Sequence, residues 1–256
     1  MTSPKQICIL GLGYVGLPTA AVLAEAGYNI AGVDINGAIV DTVNKGGIHI
    51  VEPGLAEMVS RNVASGNLKA YRTPQRADIF IIAVPTPVTD NYIPDISAVL
   101  AATQSLVPVL NPDNLVILES TSPVGTTERV VQLLVDGGVD ISTIHIAYCP
   151  ERILPGSVLS ELIENDRIVG GLTSEATEAA ARFYRSFVRG EIITTSARSA
   201  EMTKLVENSY RNVNIAFANE LSMVCAAADI DVWEVIRLAN RHPRVNILNP
   251  GPGVGG

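Results

Sequence analysis

The sequence predicts an α/β fold: an open, doubly wound sheet that gives way to a long central helix and a short helical domain. Three observations predict it. Short apolar runs alternate with helix-period segments from Gln6 to Thr194, the pattern of a parallel sheet covered by helices on both faces. The first run, Ile7-Cys8-Ile9-Leu10, leads into Gly11-Leu12-Gly13-Tyr14-Val15-Gly16 and an alanine-rich helical segment. Strand, glycine loop and helix in that order are the dinucleotide fingerprint of a Rossmann-like sheet. From residue 197 to about residue 228 there is neither Gly nor Pro, and a helix of that length spans more than about 40 Å, too long for a crossover in a compact sheet domain. The expected division is therefore a Rossmann-like nucleotide-binding domain over 1–196 and a central helical domain over 197–256.

Composition narrows the class. A chain of 256 residues, 47% hydrophobic and 17% charged, suits one globular domain and part of a second. Its 26 acidic and 18 basic residues leave a net charge of −8, which argues against nucleic acid or a membrane surface as partner. Cys8, Cys149 and Cys225 stand apart with no C-x-x-C spacing, so reduced thiols, no metal site and a cytoplasmic setting are expected. The first residues run straight into a strand and read as carrying no signal peptide, and no apolar run approaches the ~18 residues of a membrane span.

Taken in order, strands are expected at 6–10, 29–34, 79–84, 115–119, 144–148, 168–170 and 191–194, each a short run rich in Ile, Val or Leu. Helices are expected at 15–26, 37–44, 96–109, 126–135 and 174–187, with Pro53-Gly54 and Pro112-Asp113 as turns. A shorter helix over 229–240 follows the long one.

The glycines have separate duties. Gly11 lets the chain turn out of the strand, Gly13 lets backbone approach a pyrophosphate, and Gly16 lets the helix pack close. With Tyr14 and Val15 they form the expected cofactor loop, at a helix N-terminus whose free N–H groups favour phosphate. Asp34 falls 18 residues after Gly16, at the end of the second strand. A carboxylate there accepts hydrogen bonds from the ribose and repels a 2′-phosphate, so NAD is favoured over NADP.

Three later loops leave strand ends. Pro85-Thr86 lies in a stiff Val-Pro-Thr-Pro turn, where Thr86 could bond the cofactor. Ser120, Thr121, Ser122, Thr126 and Thr127 crowd one strand-to-helix turn. Capping needs one hydroxyl, so a polar cluster facing a nicotinamide or an activated water is expected. In Pro150-Glu151-Arg152, Glu151 could act as general base and Arg152 could grip a phosphate or carboxylate. Cys149 reads as a buried structural thiol rather than a nucleophile. On the long helix Lys204, Asn208, Arg211, Asn212 and Asn219 form one polar stripe. Asparagine is a poor helix former, so the stripe reads as the wall of a site.

Gly11 to Pro18, Val84 to Pro87, Ser120 to Thr127, Pro150-Glu151-Arg152 and Lys204-x-x-x-Asn208 together resemble, in the same order and over essentially the whole chain, the UDP-glucose/GDP-mannose dehydrogenase family. The resemblance implies an NAD-dependent oxidation of a UDP-sugar C6 alcohol to a carboxylate by two hydride transfers, through a cysteine-bound thiohemiacetal and thioester. Thr121 would position water, Glu151 would serve acid–base and hydrolytic steps, Lys204 would stabilise oxyanion charge and Asn208 would hold C6. Arg152, Arg211, Arg244 and Gly253 join the implied substrate set. The Pro150 to Gly156 and His242 to Leu248 segments are most similar to the branch acting on UDP-N-acetyl-D-mannosamine, with UDP-N-acetylglucosamine or UDP-glucose as alternative sugars.

The family's cysteine stands just beyond a Gly-x-Gly-Val-Gly-Gly loop, and that loop ends here at Gly256. By the resemblance, the chain is expected to be an N-terminal fragment, lacking that cysteine and a C-terminal UDP-binding domain, and unable by itself to complete the oxidation. A homodimer is expected through the long helix, where Phe217, Leu221, Met223 and Val224 cluster. A non-catalytic NAD-binding, self-associating module is the rival reading. A β-hydroxyacid dehydrogenase is another, but it leaves the Pro-Glu-Arg and terminal glycine segments unexplained.

Overall fold

The computed structural model describes residues 5–91 and 93–253. It forms two compact units that divide between Met202 and Thr203, within one helix. The first unit runs β1 (Gln6–Leu10), α1 (Gly16–Glu25), β2 (Asn29–Val33), α2 (Gly37–Asn44), α3 (Leu55–Ala64), β3 (Leu68–Tyr71), β4 (Ile79–Ile82) and α4 (Ser97–Leu106). It continues through β5 (Leu115–Leu118), α5 (Thr126–Asp136), a 3-10 turn at Ile141–Thr143, β6 (His145–Tyr148), α6 (Val158–Glu164), β7 (Arg167–Gly171), α7 (Ser174–Tyr184) and β8 (Ile192–Ser196). The helix α8 (Ala197–Ala227) crosses the division, and α9 (Val232–Ala239) follows.

The sheet order is β3-β2-β1-β4-β5-β6-β7-β8. Its first six strands have the doubly wound dinucleotide-binding order, which opens a crevice at the carboxyl ends of β1 and β4, where the winding reverses. The apolar strands are buried on both faces because successive side chains alternate. Ile7, Ile9, Ile79, Ile81 and Ile117 enter one core with Leu17, Val59 and Phe183. Cys8, Leu10, Phe80, Ile82 and Leu118 enter the other with Leu106, Val130 and Leu134.

The structure departs from expectation at four elements. Strand β3 was not anticipated: Leu68-Lys69-Ala70-Tyr71 is a short edge strand with Lys69 exposed, the charged edge that discourages further pairing. Helices α3 and α6 were also missed. Helix α6 has 7 residues, too few for a periodicity to stand out. The sheet is not wholly parallel, since β6 pairs antiparallel with β7. The connection between them stays at the carboxyl edge, where the buried Glu52 carboxylate accepts hydrogen bonds from Gly156 N (2.9 Å) and Val158 N (2.8 Å). There Val158 and Leu162 of α6 pack with Val22 of α1, so β7 starts from the same edge at which β6 ends.

The first turn of α8 belongs to the first unit. Ala197 and Ala200 enter its second core, and the fully buried Glu201 caps α5. Its carboxylate accepts from Gly125 N (2.7 Å), Thr127 N (2.8 Å) and Thr127 Oγ1 (2.6 Å). In the second unit three asparagine side chains clasp the backbone of the 240–253 segment. Asn214 donates to Asn246 O (3.1 Å) and accepts from Leu248 N (2.9 Å). Asn219 does the same with Gly251 (3.0 and 2.9 Å), and Asn240 with Ile247 (2.9 and 2.7 Å). No described helix is long and apolar enough to cross a membrane.

Candidate active site

The glycine loop divides into positions the fold requires and one it does not. Gly11 has φ +92°, and a Cβ there would fall 2.5 Å from the Ala83 carbonyl oxygen. A Cβ on Gly16 would sit 1.8 Å from the Gly11 oxygen. At Gly13 a Cβ would meet nothing within 4 Å, so packing within the protein does not demand glycine there. The open space lies at the start of α1, whose N-terminus has no side-chain cap and no acidic residue in its first turn. Backbone donors left to a ligand are what a pyrophosphate needs, so the residues fit a dinucleotide. Tyr14, 60% exposed, and Val15, the N-cap of α1, flank the same loop.

Asp34 follows β2. Its Oδ2 accepts from Leu12 N (3.0 Å) and its Oδ1 from Asn36 N (2.9 Å). Each carboxylate oxygen keeps a further lone pair for a ribose hydroxyl, and the loop holds both oxygens in place.

The loop after β4 and the loop after β5 are joined. Thr86 Oγ1 donates to Thr121 O at 2.6 Å, and Ser120 Oγ to Val84 O at 2.7 Å. This corrects the expectation of a five-hydroxyl reactive cluster. Ser122 Oγ bonds Ser120 O, Thr126 Oγ1 bonds Pro123 O, and Thr127 Oγ1 bonds Glu201. Four of the hydroxyls therefore shape the turn. The Thr121 hydroxyl makes no hydrogen bond among the described residues and is the one left for a ligand.

Glu151 lies in a buried charge cluster. Antiparallel pairing sets Tyr148 opposite Gly170, and the same register carried three residues further sets Glu151 opposite Arg167. Their ion pair is short, 2.6 Å from Nη1 to Oε2, with side chains 1% and 6% exposed. Oε1 of Glu151 accepts from Arg152 N at 2.7 Å. Arg167 also donates to Leu162 O (3.1 Å) and lies 5.5 Å from the Tyr184 ring centroid. Tyr184 donates to the buried Glu119 carboxyl at 2.7 Å. Arg152 is half-buried, with Nη1 donating to Asp166 O at 3.2 Å. Cys149 is fully buried, and burial pushes its thiol up to about 12, so it is no ready nucleophile.

Arg167, Glu119 and Tyr184 escaped the sequence reading. The available signal was a charged residue at the start of one apolar strand, Arg167-Ile168-Val169, and another at the end of Leu115-Val116-Ile117-Leu118. A charge in a buried strand must be paired, so each implied a partner.

In the second unit Lys204 and Asn208 are half-buried, four residues apart on α8, and Arg211 and Arg244 are exposed. The expected polar wall is only partly kept. Asn219 is spent on Gly251, while a Cβ on Gly253 (φ +89°) would fall 3.0 Å from Asn212 Oδ1. Val254, Gly255 and Gly256, the rest of the terminal glycine loop, lie outside the described residues.

Fold and cradle together define a dinucleotide-binding protein. Comparison with known proteins narrows this. The model of the UDP-glucose/GDP-mannose dehydrogenase family, NAD binding domain, matches residues 5–188, and that of the family's central domain matches residues 198–256. The chain belongs to this family, and its cofactor is NAD. It is 56% identical over 266 residues to a UDP-N-acetyl-D-mannosamine dehydrogenase of Campylobacter jejuni, covering 100% of this chain and 65% of the relative. It is also 56% identical over 261 residues to an NDP-N-acetyl-D-galactosaminuronic acid dehydrogenase of Ralstonia nicotianae, covering 98% and 62%. The structure of the Staphylococcus aureus UDP-N-acetyl-mannosamine dehydrogenase Cap5O superposes with TM-score 0.90 at 48% identity, covering 98% of this chain and 62% of that one. The chain thus spans somewhat less than two thirds of the length of these relatives.

Proposed function

We propose that this chain is the cofactor-binding and central part of an NAD-dependent dehydrogenase that oxidises the C6 alcohol of UDP-N-acetyl-D-mannosamine to the uronic acid. The observation that carries the reading is the conjunction of the open Gly13 cradle with the Thr86–Thr121 bond and the Glu151–Arg167 pair. NAD, when bound, supplies the hydride acceptor. Gly13 and the uncapped start of α1 hold its phosphates, and Asp34 takes its ribose. Thr121 offers its free hydroxyl to water or to the sugar. Glu151, its carboxylate aimed by Arg167 and by Arg152 N, takes or returns the proton at the reacting oxygen. For the second unit the roles rest on the motif match: Lys204 with oxyanion charge, Asn208 with the C6 group, and Arg211, Arg244 and Gly253 with the sugar nucleotide.

The Ralstonia relative is as similar as the Campylobacter one, which favours a second reading, an NDP-N-acetyl-D-galactosamine substrate. Both readings share a nucleoside diphosphate carrying an N-acetylated hexosamine. The test joins these 256 residues to the C-terminal remainder of the Campylobacter relative and measures NADH formation with each sugar nucleotide, identifying products by mass spectrometry. Uronate from UDP-N-acetyl-D-mannosamine supports the first reading, uronate from an NDP-N-acetyl-D-galactosamine supports the second, and absence of NADH with every sugar nucleotide overturns both. The 256 residues alone are expected to yield no uronate, because Cys8, Cys149 and Cys225 are all buried.

We also propose self-association through the second unit, since Val206, Tyr210, Val213, Phe217, Met223 and Val224 of α8 are all more than half exposed. Patches of that kind mark interfaces. Sedimentation as a monomer at high micromolar concentration would exclude it.

A further inference from the structure

We infer that Glu119 is a positioning residue for Glu151, a buried carboxyl whose charge state sets how firmly Arg167 holds the Glu151 carboxylate. The consequence for catalysis rests on the function proposed above; the charge behaviour of Glu119 does not.

The geometry is that of two buried carboxyl groups and one cation: Arg167 is paired with Glu151 and lies 5.5 Å from the ring of Tyr184, whose hydroxyl donates to Glu119. Glu119 leaves the end of β5, Glu151 lies just past β6, and Arg167 opens the reversed strand β7. Both carboxyls and the guanidinium are buried, with residue exposures of 3%, 7% and 1%. Arg167 gives Nη1 to Glu151 and Nη2 to Leu162 O. Glu119 receives one donor, the Tyr184 hydroxyl on Oε1, and its Oε2 has no hydrogen-bond partner among the described residues. A carboxylate oxygen buried without a donor strongly disfavours charge. Two anions against a single cation also leave one negative charge uncompensated in a dry interior. The member that stays neutral is the one without the arginine, Glu119.

The other groups facing it do not titrate in its place. Burial pushes Cys149 of the β6 loop up to about 12 and holds Tyr184 of α7 well above its ordinary range. Arg167 of β7 is held above its ordinary value, its burial outweighed chiefly by the Glu151 charge. Glu119 itself is pushed up to about 7, first by burial and then by the Glu151 charge, with Arg167 and the Tyr184 hydrogen bond opposing. Below that point Arg167 serves Glu151 alone. Above it, the guanidinium is drawn by two carboxylates and Glu151 is repelled by the new charge.

The sign of the stability change follows. A carboxyl whose folded value is raised above the ordinary ~4.3 of Glu contributes fully at lower pH and loses that contribution as pH rises toward the folded value. The experiment compares the 256-residue chain with Glu119→Gln, which keeps the shape and is always neutral. In the unaltered chain, unfolding stability should fall with rising pH between the ordinary Glu range and about 7, and an infrared protonated-carboxyl band should persist toward neutral pH. In E119Q that part of the slope and that band should both be lost. A slope and band unchanged by the substitution would overturn the inference. A uniform loss of stability at every pH, without change of slope, would reduce Glu119 to packing and would overturn it too.

The kinetic readout uses the extended protein described above. E119Q should remove a limb near neutrality from the kcat profile and leave KM for the sugar nucleotide unaltered. An unaltered limb overturns the positioning role. If the extended protein forms no NADH at all, the functional reading fails, while the infrared band and the stability slope still decide the charge behaviour of Glu119.

Discussion

The two units bury their apolar residues to very different extents. In the first, strands are covered on both faces, and Ile7, Ile9, Phe80, Ile81 and Ile117 are fully buried. In the second, Ala218, Cys225 and Ile236 are the buried hydrophobics among the described residues, while Val213, Val224, Trp233 and Leu238 are more than half exposed. The asparagine clasps on the 240–253 segment are side-chain-to-backbone hydrogen bonds rather than core packing. A sheet can close its own core because helices return over both faces. A pair of helices with one tail cannot, and its apolar faces stay largely exposed. The contrast teaches that the nucleotide unit closes its apolar strands within its own core, whereas the helical unit leaves most of its large apolar side chains exposed.

Substitutions can break or sharpen that contrast. The largest effect is expected at Gly16. Its Cβ would overlap the Gly11 carbonyl oxygen, so Gly16→Ala should cost roughly 3 kcal/mol or more in urea unfolding of the first unit. Arg167→Met comes next. It strands the buried Glu151 carboxylate, and removing one partner of a buried pair costs about 3–5 kcal/mol. Denaturation at neutral pH checks this, with partial recovery expected in the double variant that also carries Glu151→Gln.

Glu201→Ala removes three hydrogen bonds at the start of α5. It should cost about 2 kcal/mol, since bonds to a charged group at a helix N-terminus are among the stronger ones.

Gly13→Ala sharpens the contrast from the other side. The space at that position is open, so stability should stay within about 0.5 kcal/mol. NAD affinity by calorimetry should fall about tenfold or more, or about 1.4 kcal/mol. The smallest effect on folding is expected at Val213, 71% exposed on α8. Val213→Asp should leave unfolding within about 0.5 kcal/mol while lowering self-association in sedimentation. A large loss of stability there would mean that the second unit carries a core of its own.

The cofactor half of the site was legible because its parts are close in sequence. The loop from Gly11 to Gly16 and Asp34 lie within one βαβ unit, and each residue acts mainly through local backbone geometry. The long helix was legible because nothing interrupts it. The hydroxyl cluster misled, and the asparagine stripe misled at Asn219. Ser and Thr in a turn and Asn on a helix read alike whether they face a ligand or hold the fold together, and here Ser122, Thr126 and Asn219 hold backbone while Thr127 holds the Glu201 carboxylate.

The sequence by itself determined the dinucleotide-binding unit, its NAD cofactor and the break into a long helix, since residue types at short, fixed spacing dictate these. Tertiary structure alone decided that β7 runs against β6, that Arg167 thereby faces Glu151, that Glu119 and Tyr184 close the cluster, and that Glu52 and Glu201 brace the loops around it. The reason is physical. A buried charge states that a partner exists, but its identity depends on strand direction and on contacts between residues 16 to 106 positions apart. Only the folded chain brings such groups within hydrogen-bond distance.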